Sequence, residues 1–220
     1  MRVSPTMALP HHRSIVRLFV ALAALLLPIS VAVAGEPLRL MILAARPGPE
    51  AISDGSPHSR ALIEAIGAGL TTGDGGKALA SRSDGPVMLL GEGDASAEAL
   101  ADPAASDRAI LDALAKAGAA GAIPADLVLR AVLYARAVQR DAGKPEDIAL
   151  ELRVELSLRD VASGRPVGIP PRRKSVPLDC GNPPDAACIQ GSVSAAAAAL
   201  GREIGSTLAY RIAALLPPRP

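Results

Sequence analysis

Between residues 125 and 168 the chain reads ADLVLRAVLYARAVQRDAGKPEDIALELRVELSLRDVASGRPVG, and two halves of this stretch alternate. From Asp126 to Arg140, Leu127, Leu129, Ala131, Leu133, Ala135 and Ala137 hold one parity, with Arg130, Tyr134 and Arg136 on the other. From Ile148 to Leu158, every second residue is Ile, Leu or Val, and Glu151, Arg153, Glu155 and Ser157 lie between them. Successive side chains of a strand point to opposite faces, so this spacing predicts two strands packed on one side and wet on the other. Asp141 to Glu146 supplies the turn. A hairpin centred between Gly143 and Lys144 sets Arg136 opposite Glu151 and Tyr134 opposite Arg153. The apolar faces then coincide and opposite charges meet on the wet side. A second turn, Asp160 to Arg165, leads to a less regular third strand near Arg165 to Ile169.

Upstream, Leu38 to Ala45 is a short apolar run flanked by prolines and suits a buried strand. Ser56-Pro57 reads as an N-cap with Pro at the first helical position, and Leu62, Ile66 and Leu70 share a face of the helix it starts. Gly73-Asp74-Gly75-Gly76 is expected to end that helix, and Pro86 to Leu90 is a second strand. Residues 91–105 are irregular, with one helical turn at Ala97 to Ala101. Ser106 then caps a helix carrying Ile110, Leu111 and Leu114, which Gly118, Gly121 and Pro124 terminate. Downstream, a long helix runs from about Ile189 to Leu216, with Val193, Ala197, Leu200, Ile204, Leu208, Ile212 and Leu215 in one stripe. Gly201-x-x-x-Gly205 has the spacing of a membrane helix pair. Arg202, Glu203 and Arg211 oppose that reading and favour close packing on the sheet. The fold class is therefore α/β (α+β): a single domain of two or three layers, with a mixed sheet, a long antiparallel hairpin and helices packed on it.

The N-terminal segment has a different character. Arg2, Arg13 and Arg17 precede an apolar run, Leu18 to Ile29, and then Ser30 to Gly35 with Ala32 and Ala34 in Ala-x-Ala spacing. This is the order of a secretory signal peptide, 1–34, cut before Gly35 to leave a periplasmic domain, 35–220. Met7 would serve equally as the start. An uncleaved anchor is the alternative, because Ile15 to Ala34 is almost long enough to span a bilayer. Gly35 stands where a lipoprotein has its lipidated Cys, so the expectation is an exported, lipid-free protein with no membrane span after cleavage. The 220-residue chain has 23 basic and 22 acidic residues; three basic residues leave with the signal, giving 20 against 22, a net −2. That balance provides no electrostatic case for nucleic acid. Cys180 and Cys188 are expected to pair as a disulfide in an oxidising compartment. Metal binding is the other use of such a pair, although no His or third Cys stands nearby.

Chemistry is sparse. Beyond the signal the only histidine is His58, read as solvated surface, with Ser53, Ser56 and Ser59 as turn and capping residues. Gly73-Asp74-Gly75-Gly76-Lys77 lacks phosphate-loop spacing and is expected to be a plain loop. Arg172-Arg173-Lys174 is a basic run in a Pro-rich connection, either solvated surface or a contact for an acidic partner. No cofactor, metal or catalytic constellation is expected, and an enzyme is the last hypothesis.

The 125–168 stretch resembles the core of LpoB-like penicillin-binding-protein activators and the related periplasmic domain of CsgG, with an amino-terminal TolB-like domain as a looser match. The matching pieces are Ala125-Asp126, the Gly143-Lys144 turn, and Leu156 to Leu158 followed by Asp160-Val161-Ala162-Ser163-Gly164. The resemblance implies a helix-covered mixed sheet and a non-catalytic role in cell-envelope assembly, acting by contact on an envelope protein such as a bifunctional peptidoglycan synthase. Members of that family are outer-membrane lipoproteins, from which Gly35 departs. Arg130, Tyr134, Arg136 and Arg153 on the wet hairpin face are the candidate partner-binding residues, since an exposed Tyr among arginines suits an interface. An ordinary solvated strand face is the competing account. The alternative functions are an accessory subunit of an envelope transport or secretion system and a small-ligand or glycan-binding module. Oligomeric state is left open.

Overall fold

A computed structural model describes residues 36–83, 85–91, 102, 104–181 and 185–216, without the side chains of 144–146. The signal segment, its cleavage residues Ala32, Ala34 and Gly35, and the helical turn expected at Ala97 to Ala101 lie outside the described residues.

The expected elements form in the expected order, with an additional helix over Gly73–Arg82 and an additional strand over Arg172–Pro177. Strand β1 (Leu38–Ala44) is followed by helix α1 (Pro57–Thr71), helix α2 (Gly73–Arg82) and strand β2 (Val87–Leu90). Helix α3 (Asp107–Ala119) leads to the hairpin of β3 (Leu127–Asp141) and β4 (Lys144–Asp160). Short strands β5 (Pro166–Val167) and β6 (Arg172–Pro177) precede the closing helix α4 (Ala186–Leu215). The sheet runs β2-β1-β3-β4-β5, and β6 also pairs with β4. Its β2, β1 and β3 are mutually parallel, and every pair from β3 onward is antiparallel.

Helix starts follow their caps. The Ser59 N–H donates to Ser56 Oγ (3.1 Å), the Ala109 N–H to Ser106 Oγ (3.2 Å) and the Cys188 N–H to Asp185 Oδ2 (3.0 Å). Each satisfies one of the backbone donors that a helix start leaves unpaired. The Cys180–Cys188 disulfide, with Cα atoms 5.6 Å apart, closes the segment that leads into α4.

Two cores flank the sheet. Leu40, Ile42, Leu129, Leu133, Leu152 and Val154 pack under α1, α2 and α4, which supply Leu62, Ile66, Leu79, Leu200, Ile204 and Leu208. On the other face Met41, Leu43, Leu90 and Val128 meet only Ile110, Leu114 and their neighbours around α3. The domain is thus three-layered over β2-β1-β3. Over the distal hairpin it is two-layered among the described residues, because α3 does not reach that far.

Several expectations need correcting. Helix α1 does end at Thr71, just before the glycines at 73–76, but these do not form a plain loop. They lie in the first turns of α2, and a Cβ on Gly75 would sit 2.6 Å from the Ser206 carbonyl oxygen on α4. Low intrinsic propensity there reflects a demand for close approach, not a break. The Gly201-x-x-x-Gly205 spacing serves α1 rather than the sheet: a Cβ on Gly205 would lie 2.2 Å from the Ile66 carbonyl oxygen and 2.9 Å from the Gly69 Cα. Leu215, assigned to the apolar stripe, is exposed. The Arg172-Arg173-Lys174 run belongs to β6 and not to a loose connection; its inward positions, Arg172 and Lys174, carry long amphipathic side chains that hide the strand period. The third strand shrinks to two residues, Pro166–Val167.

The hairpin register is the expected one: Arg136 pairs with Glu151 and Tyr134 with Arg153. The tip differs. A register shift after Gln139 brings Asp141 opposite Lys144, so the turn closes on Ala142-Gly143, where the Gly143 N–H donates to Asp141 Oδ1 (2.9 Å).

Candidate functional site

The residues that carried the family resemblance build backbone geometry. Asp126 Oδ2 accepts the Arg39 N–H (2.7 Å), and the Asp126 N–H donates to the Arg39 carbonyl (2.9 Å), locking β3 to the start of β1. Asp160 Oδ1 accepts from both the backbone N–H (2.7 Å) and the hydroxyl (2.6 Å) of Ser163, which holds its carboxyl below the usual carboxylate range. Gly164 completes this turn at φ +67°, a conformation that disfavours a side chain. This motif specifies a turn between strands and carries no reactive group.

The outward face of the hairpin divides into two halves. Near β1, α3 covers it. Arg130 donates to Asp107 Oδ1 (2.7 Å), while Arg159 and Ser157 donate to Asp107 Oδ2 (2.5 and 2.9 Å). Burial opposes the charge on Asp107, but its bonds to Arg130, Arg159 and Ser157 outweigh this and lower its pKa to about 2. Arg130 is only 15% exposed, so it is held inside the domain and does not belong to an open contact surface. Of the four expected partner-binding residues, it is the one set apart from the open half of the face.

The distal half is open. Arg136, 74% exposed, forks onto Glu151 Oε2 through Nε (2.9 Å) and Nη2 (2.6 Å). The Arg153 guanidinium lies 4.3 Å from the centroid of the Tyr134 ring and 3.2 Å from Glu155. The Tyr134 hydroxyl donates to Glu155 Oε2 (3.3 Å); burial and the Glu155 carboxylate push its pKa up from 10.0. Tyr134, Arg136 and Arg153 therefore come together, as expected. They line a depression of about 660 Å³, with Glu50, Glu151, Arg173 and Ser175 on its walls.

Sequence reasoning missed Ser175 and Glu50, and it raised Arg173 only within the basic run, outside the hairpin face. Arg173 and Ser175 share a parity in β6 and pair across from Arg153 and Glu151. That signal becomes visible only once 172–177 is read as a strand. Glu50 arrives on the loop after β1, which runs beside β3, where the Ile52 N–H donates to the Leu133 carbonyl.

His58 is neither free surface nor part of this depression. Its Nδ1 lies 2.8 Å from Ser194 Oγ, tying the start of α1 to α4. Among the described residues there is no group of three or more His, Cys, Asp and Glu side chains placed to hold a metal ion. No helix among them is long and apolar enough to cross a membrane.

No protein-family model and no curated protein matches this chain. Solved structures with a similar trace include a hypothetical protein of Chlamydia trachomatis (14% identical, TM-score 0.48), covering 81% of this chain and 99% of that one. Others are a minor lipoprotein of Acinetobacter baumannii (16%, TM-score 0.40; 83% and 98% covered) and a lipoprotein of Neisseria meningitidis (11%, TM-score 0.41; 74% and 97% covered). These values carry neither a function nor a lipid anchor over to this chain.

Proposed function

We propose that this protein is a non-catalytic component of the bacterial envelope that works by binding another protein through the open distal face of the β3–β4–β6 sheet. The observation that carries this reading is the division of the outward face. Its proximal half is sealed by α3 and the Asp107 cluster, whereas its distal half presents an Arg-stacked Tyr134 in an uncovered depression. Aromatic and Arg side chains are the enriched anchors of protein interfaces. Elsewhere, Asp107 is held by Arg130 and Arg159, and His58 lies against Ser194.

The signal-like segment 1–34 and the Cys180–Cys188 disulfide support an exported location. Gly35 supports a lipid-free periplasmic form. Within this reading, regulation of a peptidoglycan synthase is the most specific role, and it rests on the resemblance of residues 125–168. Proximity labelling from the full chain in bacterial cells tests the proposal. A short, reproducible set of envelope proteins is expected. Labelling confined to cytoplasmic proteins, or scattered no differently from that of an exported control, contradicts it.

A further inference from the structure

We infer that the open face takes an acidic segment of its partner, and that Arg153 and Arg173 together receive a carboxylate from it. This inference rests on the contact role proposed above and names the chemistry of the partner. Arg153 and Arg173 are directly opposed on adjacent antiparallel strands, β4 and β6. Like charges in that relation repel and weaken the strand pair unless an anion lies between them. Their situations differ. Arg153 is fixed by the Tyr134 ring on one side and Glu155 on the other. Arg173 is exposed, and its side chain has no hydrogen-bond or ion-pair partner among the described residues.

Strand geometry explains why this cation is left over on the open face. Of the basic run in β6, Lys174 turns to the helical side and pairs with Glu203 of α4. Arg173 alternates to the open side. There, Glu151 is already taken by Arg136 and Glu155 by Arg153. Ser175, the next outward residue of β6, adds a hydroxyl beside the unpaired guanidinium on the wall of the same depression. A carboxylate reaching Arg173 gains a charge-assisted and geometrically forked bond, with the stacked Arg153 next to it. Glu50 lines the same depression from the loop beside β3, on the side away from β6. It repels acid at that end, so an acidic segment is directed toward the β6 side.

The test is photocrosslinking in cells from a benzoylphenylalanine placed at Ser175 of the full chain, with the crosslinked partner peptide mapped by mass spectrometry. The account expects a peptide rich in Asp and Glu. Arg173→Glu should lower its yield about tenfold, as loss of one charge pair at an interface does. Arg173→Lys, which keeps the charge but loses the fork, should fall between Arg173→Glu and the chain with Arg173 intact, and the same reversal at exposed Arg108 on α3 should leave the yield unchanged. Equal accumulation and equal thermal melting of all the variants shows that the strand still forms. A crosslink that is insensitive to Arg173→Glu, or a mapped peptide without carboxylates, overturns the acidic-segment inference while leaving the contact face standing. A crosslink to a second copy of this chain at a segment without acids does the same. Absence of any protein crosslink from the probe-bearing chain with Arg173 intact overturns the contact role itself.

Discussion

Replacing Asp107 with Asn preserves the shape of its side chain and removes one charge from a cluster of two arginines. The Asp107 side chain is 22% exposed, and Arg130 and Arg159 are 15% and 28% exposed, so the cluster is only partly screened by solvent. Its carboxyl titrates at about 2 instead of 3.8. At about 1.4 kcal/mol per pH unit, that depression stabilises the fold by about 2 kcal/mol at neutral pH. Asp107 is also the first residue of α3, where a negative charge favours the helix dipole by about 0.5 kcal/mol. Asp107→Asn should therefore lose about 2–3 kcal/mol, read from urea denaturation at pH 7. The pH dependence gives the sharper test. The folded-state value lies below the unfolded one, so the contribution is complete above about pH 4 and disappears as pH falls toward 2. The difference between wild type and variant should shrink to under about 1 kcal/mol at pH 2.5. A difference that stays constant from pH 7 to pH 2.5 would show that the charge is not what Arg130 and Arg159 are holding.

Other perturbations report on the packing that presents the face. Gly205→Ala would bring a Cβ to 2.2 Å from the Ile66 carbonyl oxygen; despite a helix-propensity gain of about 1 kcal/mol, a net loss of about 2 kcal/mol or more is expected in thermal or urea melts. An unchanged or raised melting temperature would mean that α1 and α4 are not in close contact there. Ser56→Ala should cost about 1 kcal/mol, again by urea denaturation, because the Ser59 N–H loses its acceptor. Reducing Cys180–Cys188, or replacing both residues with Ser, should lower stability by about 2–3 kcal/mol for a loop of this length, and free-thiol counting before and after reduction identifies the bond.

The hairpin was legible because each of its strands faces a dry core on one side and charge on the other, which writes period two directly into residues 126–158. Its register followed from charge complementarity, and Arg136–Glu151 sits where that argument placed it. The tip was not legible, since the shift after Gln139 depends on local backbone preferences that alternation does not encode. Strand β6 stayed hidden for a different reason. Two of its three inward residues, Arg172 and Lys174, are chemically indistinguishable from surface residues until Glu203 on α4 is seen beside Lys174. Helix α2 was missed because Gly75 argues for a loop when taken alone and for a helix crossing only when Ser206 is in place. The same limitation touched the candidate site. Parity correctly grouped Arg130 with Tyr134 and Arg136, but whether a helix covers one end of a sheet face is a tertiary fact, and α3 with Asp107 takes Arg130 out of the open surface.

The central claim is that the distal open face binds a protein, and the most direct measurement is partner recovery by the double variant Tyr134→Ala/Arg136→Ala. Both side chains lie on the open side of the hairpin, so the variant should accumulate and melt like the wild type within a few degrees. The account predicts that proximity labelling of the envelope partner falls to the background of an exported control. Undiminished labelling of the same partner by the well-folded double variant would contradict it.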